Sequence, residues 1–241
     1  MTDYIYQGSE LDVFRHAVNW KRYYAGQITP YISGDVLEVG AGIGGTTKFL
    51  SAGPHRSWTC LEPDDALASR LEQQLTGELQ GAKVLRGTVA DLAPEHRFDT
   101  ILYIDVLEHI EDDASELDRA ARHLRPNGHL IVLSPAHGWL MSPFDNAVGH
   151  YRRYTISSLS AVSPASVRIV RMFYLDCMGM LTSFANRALL RNQHPTLSQV
   201  QLWDSVVIPM SRVLDPLSGR KLGKTVIGVW TPAEQAARAP R

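Results

Sequence analysis

Four glycines within six residues, directly after a short apolar strand, constrain this chain more than any other feature. The stretch Val36-Leu37-Glu38-Val39-Gly40-Ala41-Gly42-Ile43-Gly44-Gly45-Thr46-Thr47 reads as a buried strand, a tight turn and then a helix. Glycine lets the backbone turn sharply and approach a ligand closely. Free N–H groups where a helix begins attract an anion or a carboxylate. A turn of this kind belongs at the carboxyl edge of a parallel sheet, so the remaining sequence has to supply that sheet.

It does so between Asp35 and Leu133, where strand-like and helix-like patterns alternate. Strands are expected at Val36–Val39, Trp58–Leu61, Lys83–Leu85, Thr100–Ile104 and Leu130–Leu133. Each is a short apolar run bounded by Gly, Pro or Asp, as in strands covered on both faces. A helix carrying Leu67, Leu71 and Leu75 begins near Asp64 and stops at Gly77. A second runs from Glu111 to Leu124, and Pro126-Asn127-Gly128 turns the chain into the fifth strand. Val167–Tyr174 and Thr225–Trp230 read as a sixth and a seventh strand. The 48 residues Leu175–Leu222 between them hold two helices, the second kinked at Pro209. The polar and aromatic connection from Pro135 to Tyr154 is long enough to be functional.

Composition narrows the classes. With 241 residues, 44% of them hydrophobic and 20% charged, the chain has a real core and is not intrinsically disordered. Cys60 and Cys177 build no disulfide framework, so a reducing cytoplasm is the expected setting. The start Met1-Thr2-Asp3-Tyr4 does not read as a signal peptide, and no apolar run approaches a membrane span. The net charge of −1 conceals −9 over residues 1–150 and +8 over residues 151–241. There is no extended basic and aromatic surface of the kind that binds nucleic acid.

The glycines fit two patterns. Gly40, Gly42 and Gly45 match GxGxxG, the dinucleotide fingerprint, while Glu38, Gly40, Gly42 and Gly44 match ExGxGxG. Glu62, ending the second strand, suits ribose hydroxyls under either. Glu38, Asp105 at the end of the fourth strand, and the two strands after the fifth favour the second. With these residues the chain resembles the class I S-adenosylmethionine-dependent methyltransferases, over Val36–Leu133 and again at Thr225–Trp230. The resemblance implies an α/β Rossmann-like seven-stranded sheet, with a helical insertion between the last two strands. It implies S-adenosylmethionine as cofactor, held by Glu38, Gly40, Ala41, Gly42 and Gly44 at its methionine end and by Glu62 and Pro63 at the ribose. Val89 and Asp91 fall at the adenine, and Asp105 at the amino group. Trp20, in Asn19-Trp20-Lys21-Arg22, belongs to a helix that closes over the cofactor. Residues 1–34 then form that closing segment, 35–174 with 223–232 the core, 175–222 a helical cap, and 233–241 a flexible tail.

Methyl transfer to a hydroxyl or ammonium acceptor needs a base. His109, His137 and His150 are the candidates, by their places near strand ends. Asp105, Glu108, His109 and His137 have metal-ligating side chains, but without a distinctive ligand spacing no metal is expected. Gly149-His150-Tyr151-Arg152-Arg153-Tyr154 resembles a segment in one branch of these enzymes. There Tyr151, Arg152 and Arg153 would receive the acceptor, with the arginines forking onto a carboxylate or phosphate; alternatively they pair with Asp145 or hold the loop. From Arg187 to Lys224 the chain carries six basic and two acidic residues, which suits an anionic or lipid-linked acceptor. The apolar helix faces there suit core packing, an acceptor cap, a membrane-surface contact or a homodimer seam. The expected function is O- or N-methylation of a small molecule in secondary or cell-envelope metabolism. The alternatives are an NAD(P)-dependent oxidoreductase and a non-catalytic methyltransferase-like partner subunit.

Overall fold

The computed structural model describes residues 9–75, 81–189 and 196–233. The expected helix stop at Gly77 and the expected tail beyond Ala233 lie outside them. Seven strands form one sheet in the order β3-β2-β1-β4-β5-β7-β6. They are β1 (Asp35–Val39), β2 (Ser57–Glu62), β3 (Ala82–Arg86), β4 (Phe98–Ile104), β5 (Leu124–Pro135), β6 (Val167–Leu175) and β7 (Thr225–Pro232). The first five run parallel, and β7 lies antiparallel between β5 and β6. The helices are α1 (Ser9–Phe14), α2 (Val18–Ile28), α3 (Thr47–Leu50), α4 (Asp65–Leu75), α5 (Asp113–Arg122), α6 (Pro143–Ala147), α7 (Ile156–Ala161), α8 (Cys177–Leu189), α9 (Leu197–Leu202) and α10 (Ile208–Leu217). No helix among the described residues is long and apolar enough to cross a membrane.

Local chemistry explains where elements start and stop. Asp64 Oδ1 accepts the N–H groups of Ala66 and Leu67, both at 2.9 Å, and so caps α4. Asp112 caps α5 through Ser115 N–H; Asp113 and Glu116 in the first turn and Arg119 and Arg122 in the last follow the helix dipole. Two expectations shift. The Pro126-Asn127-Gly128 turn lies inside β5: Leu124 already pairs with Phe98, and the register jumps before His129 meets Thr100. Asn127 takes a positive φ of 64° there, so the turn is a bulge in the strand. Pro209 is preceded by a widened π turn at Trp203–Val207, which accommodates the missing N–H and the bulk of the ring.

Each sheet face carries a core. On one, Trp20, Tyr24 and Ile28 of α2 pack with Trp58, Ile131, Phe173, Val200 and Ile208. On the other, Leu117 and Ala120 of α5 pack with Tyr103, Tyr154, Leu159 and Trp230. The segment between β6 and β7 is bound to α2 by polar contacts as well. Asp204 accepts the N–H groups of Asn19 at 3.0 Å and Trp20 at 2.8 Å, satisfying helix-start donors that no residue nearby in sequence satisfies. Buried Asp215 accepts the Tyr23 hydroxyl at 2.8 Å and the N–H groups of Asp176 and Cys177 at 2.7 and 2.9 Å. Together α1, α2 and α8–α10 make a roof over one face of the sheet, reaching the glycine turn, where Leu11 lies 3.5 Å from the position a Gly42 Cβ would take.

Candidate active site

Strand order reverses between β1 and β4, the place where open parallel sheets take ligands beyond their carboxyl ends. The glycine turn fills that edge. Gly40, Gly42 and Gly44 have φ of 64°, 57° and 73°, and Gly45 is not among the positive-φ residues. The conformational demand therefore falls on every second residue, and the backbone follows ExGxGxG rather than GxGxxG. A Cβ at Gly40 would also lie 2.7 Å from Val106 Cγ2, so the turn packs directly against the chain leaving β4. The expected row of anion-attracting N–H groups is absent at four positions. Gly40 and Ala41 donate to Leu61 O, Gly42 to Glu62 and Gly44 to Ala41 O. Helix α3 is a single turn and adds little dipole. The turn offers shape more than positive potential.

Glu62 holds it in place. One carboxylate oxygen accepts Gly42 N–H at 2.7 Å and the other accepts Asp64 N–H at 3.0 Å. Burial raises its carboxyl against the pull of those two bonds. Glu38 lies beneath the turn, buried, and accepts Trp58 Nε1–H at 2.9 Å. Burial pushes its carboxyl up to about 7, outweighing hydrogen bonds from Thr47 and Trp58. Ala41 is buried in the core, and Pro63 follows Glu62 at the edge. Val89 is buried, while Asp91 spends one carboxylate oxygen on Thr88 N–H and Thr88 Oγ1–H, capping its own short turn.

Helix α2 meets the turn through residues other than the expected one. Trp20 packs into an aromatic group with Tyr23, Tyr24 and Trp203. Tyr24 reaches Thr46 through its hydroxyl, and Lys21 Nζ lies 3.4 Å from where a Gly45 Cβ would be. Burial lowers the Lys21 ammonium to about 8, Lys48 adding to the effect and Asp105 opposing it. Nothing in the spacing of Asn19-Trp20-Lys21-Arg22 marks Lys21, because its surroundings come from loops distant in sequence.

Asp105 stands just beyond β4 with a positive φ of 54°. Its side chain is open to solvent, yet enclosing protein raises its carboxyl to about 6 against the pull of His150, Lys21, Lys224 and Arg153. Beside it Glu108 is fully buried; Oε2 accepts the Ser134 hydroxyl at 2.8 Å and Oε1 has no hydrogen-bond partner. Burial, then Asp105, drives its carboxyl well upward. His109 and His150 stack edge to face at 4.6 Å. Burial, then His150, lowers the His109 imidazole to about 4, against hydrogen bonds to the backbone of Gly149 and Val148. One potential ligand atom from each of Glu108, His109 and His150 lies within 4.8 Å of the others. The third histidine stands apart: His137, at φ 64°, stacks on Tyr174 at 4.9 Å and beside Trp139, and burial lowers its imidazole.

The arginines do not form the expected acceptor fork. Arg153 is bidentate to buried Asp145, at 2.7 and 3.0 Å, and Arg152 lies 2.6 Å from Asp113 and donates to Glu111 O. Tyr154 donates to Asp113, and Tyr151 N–H to Glu108 O, leaving the Tyr151 ring exposed. Both guanidinium charges are neutralised within the chain, so the segment works as a frame. Asp145, which the sequence offered only as an ion-pair partner, is its centre. Burial would raise that carboxyl, but His150 and Arg153 together hold it well below the usual range. His150 Nδ1 lies 2.8 Å from Asp145, which turns Nε2 toward Glu108 Oε1 at 4.0 Å.

A family model described as a methyltransferase domain matches residues 37–130. The chain is 28% identical over 133 residues, 52% of its length, to lovastatin nonaketide synthase mokA of Monascus pilosus, of which it covers 4%. It is 31% identical over 121 residues to the ubiquinone biosynthesis O-methyltransferase of Xylella fastidiosa strain 9a5c, 48% of each chain. The chain therefore spans less than half the length of these curated relatives. In fold it is similar to the S-adenosylmethionine-dependent methyltransferase from Clostridium acetobutylicum ATCC 824, with a TM-score of 0.58 and 10% identity over 90% of this chain and 92% of that one.

Proposed function

Since this chain carries a methyltransferase domain of the class I family, we propose that it binds S-adenosylmethionine at the β1–β4 edge and methylates an oxygen or nitrogen of a small-molecule acceptor. The observation that carries this reading is the alternation of positive φ at Gly40, Gly42 and Gly44 against the Glu62 carboxylate. These residues fit the cofactor. A carboxylate has about four lone-pair sites, so Glu62 retains two for ribose hydroxyls after binding Gly42 and Asp64. The turn is shaped for close approach, Glu38 supports it from below, and Asp105 places a carboxyl where a cationic amino group would be received. Pro63 and the Val89–Asp91 turn take the adenosine side. Trp20 acts from behind, through Tyr24 and the turn.

When bound, the cofactor supplies a methyl group already activated on sulfur. The chain's own task is then alignment and exclusion of water. The roof of α1, α2 and α8–α10 serves exclusion. An acceptor with an O–H or N–H group also has to lose a proton. His150, oriented by Asp145, is the imidazole best held to receive it, with His109 beside it. His137 serves the neighbouring wall. A small-molecule acceptor is supported by the relative named for O-methylation in ubiquinone biosynthesis. An anionic acceptor loses the support of Arg152 and Arg153, and a lipid-linked one keeps that of the exposed apolar residues Leu202, Val206, Met210, Val213 and Leu217 on the roof.

Calorimetric titration with S-adenosylmethionine, S-adenosylhomocysteine and NADH tests the cofactor, and methyl-labelled S-adenosylmethionine with phenolic and amine acceptors tests transfer. Binding of the first two ligands and labelled product are expected. Tight NADH binding without S-adenosylmethionine binding would overturn the reading. Cofactor binding with no product from any acceptor would favour the non-catalytic partner.

A further inference from the structure

We propose that Glu108, His109 and His150 form a binding site for one divalent first-row transition cation, zinc-like in its ligand preference. A cation held here occupies His150 Nε2, so in the loaded chain the acceptor's proton goes to solvent and not to that imidazole, while binding of the methyl donor at the glycine turn is a separate matter. Glu108 is fully buried, its Oε2 takes the Ser134 hydroxyl, and its Oε1 has no hydrogen-bond partner. A buried oxygen in that state calls for a specific explanation. Oε1 faces His150 Nε2 at 4.0 Å, and a ring nitrogen of His109 completes a set within 4.8 Å.

The arrangement around the set is that of a ligand shell. His150 Nδ1 lies 2.8 Å from Asp145 Oδ1, and Asp145 is itself held by Arg153 and Ser142. If Nδ1 donates to that carboxylate, Nε2 of the neutral imidazole keeps its lone pair on the Glu108 side. A carboxylate behind a histidine is the usual outer support of a metal ligand. Two imidazoles and one carboxylate suit zinc and its first-row neighbours far better than magnesium or calcium. Around a tetrahedral ion with bonds of about 2.1 Å, ligand atoms stand about 3.4 Å apart. The three side chains therefore close by roughly an ångström when loaded, leaving a fourth position for water or an acceptor oxygen.

The three residues come together from two parts of the chain. Glu108 and His109 leave β4, and His150 arrives on the frame built by Asp145 and Arg153. This replaces His137, which the sequence grouped with Glu108 and His109, by a histidine forty-one residues beyond His109. A cation here would hold an acceptor oxygen as its anion, with the displaced proton passing to solvent.

The test is direct metal binding by the full chain, stripped with chelator. Zn2+ is titrated in competition with a chromogenic chelator, and Co2+ is followed by its visible absorption. We expect one Zn2+ per chain and a Co2+ spectrum of low coordination number, with affinity at least tenfold weaker in Glu108→Gln and His109→Ala. Glu108→Gln keeps the side-chain shape and an acceptor for Ser134, and far-ultraviolet circular dichroism checks that each variant is folded. Absence of stoichiometric Zn2+ and Co2+ binding would overturn the proposal, as would binding retained in both variants or selective for Mg2+. Titration of S-adenosylhomocysteine on the same samples reads the cofactor site separately, so either reading can fail without the other.

Discussion

Glu62 joins two tasks in one side chain, fastening the glycine turn through Gly42 and facing the place where a ribose would lie. Glu62→Ala removes both, and should weaken S-adenosylmethionine binding by about 1–3 kcal/mol, the range for leaving buried partners unpaired. Isothermal titration measures it, and an unchanged affinity would refute the assignment. Glu38 makes a prediction of opposite character. Its carboxyl is raised from 4.5 to about 7 by burial, so the folded protein holds that proton more tightly than the unfolded chain. Its contribution to stability is present below about 4.5 and is lost as pH rises through about 7. Glu38→Gln keeps an acceptor for Trp58 and removes the titration. The fall in unfolding free energy between about pH 5 and pH 8 should shrink by roughly 2 kcal/mol, as read from urea denaturation; an unaltered fall would count against it. Glu38, Glu62 and the glycines could be picked out of the sequence because their spacing is local. Lys21 and Asp145 could not be picked out as site residues, since what distinguishes each is a neighbour brought in by the fold.

Among the elements, the segment from Asp145 to Tyr154 shows how a motif is visible while its purpose is hidden. Two adjacent arginines suggested a receiver of anions, and the structure spends each on a carboxylate. Arg153 and Asp145 are 13% and 0% exposed, against 31% for Arg152. Removing one partner of a buried pair strands the other charge, so Arg153→Ala should destabilise the fold by about 3–5 kcal/mol, and Arg152→Ala by less. Denaturant melts give the ranking, and equal losses would contradict it. The strands were legible because they are short runs rich in apolar residues with clear stops, as at Cys60-Leu61-Glu62-Pro63. The bulge at Asn127 and the π turn before Pro209 were not. Both answer to pairing partners or helix geometry that local spacing does not encode.

Across the whole molecule, the split into an acidic and a basic half resolves into internal pairing at several positions. Arg153 meets Asp145 and Arg152 meets Asp113 across the two halves, while within the basic half Lys224 lies 3.5 Å from Asp176 and over the Trp203 ring. Asp215 performs the same joining for the roof with hydrogen bonds alone. Asp215→Asn would turn an acceptor into a donor facing N–H or O–H groups. It should cost about 1–3 kcal/mol and speed hydrogen exchange in α2 and α8 while leaving β1 and β4 protected. Uniform acceleration across the sheet would show that the roof is not a separable unit.

The bonds from Trp20 to Asp204 and from Tyr23 to Asp215 span 184 and 192 residues. Contacts that remote are slow to find each other, and synthesis delivers the early residues first. Helix α2 therefore waits, its first donors uncapped, until β1–β5 and α8 have emerged and α10 follows. In pulse-labelled refolding, protection in α2 should appear together with α10 and after β1 and β4; protection of α2 ahead of the strands would contradict this order. The nascent chain would then complete its glycine edge well before it gains a cover, and a fragment stopped before Asp204 would present an open edge with nothing to shield it from water.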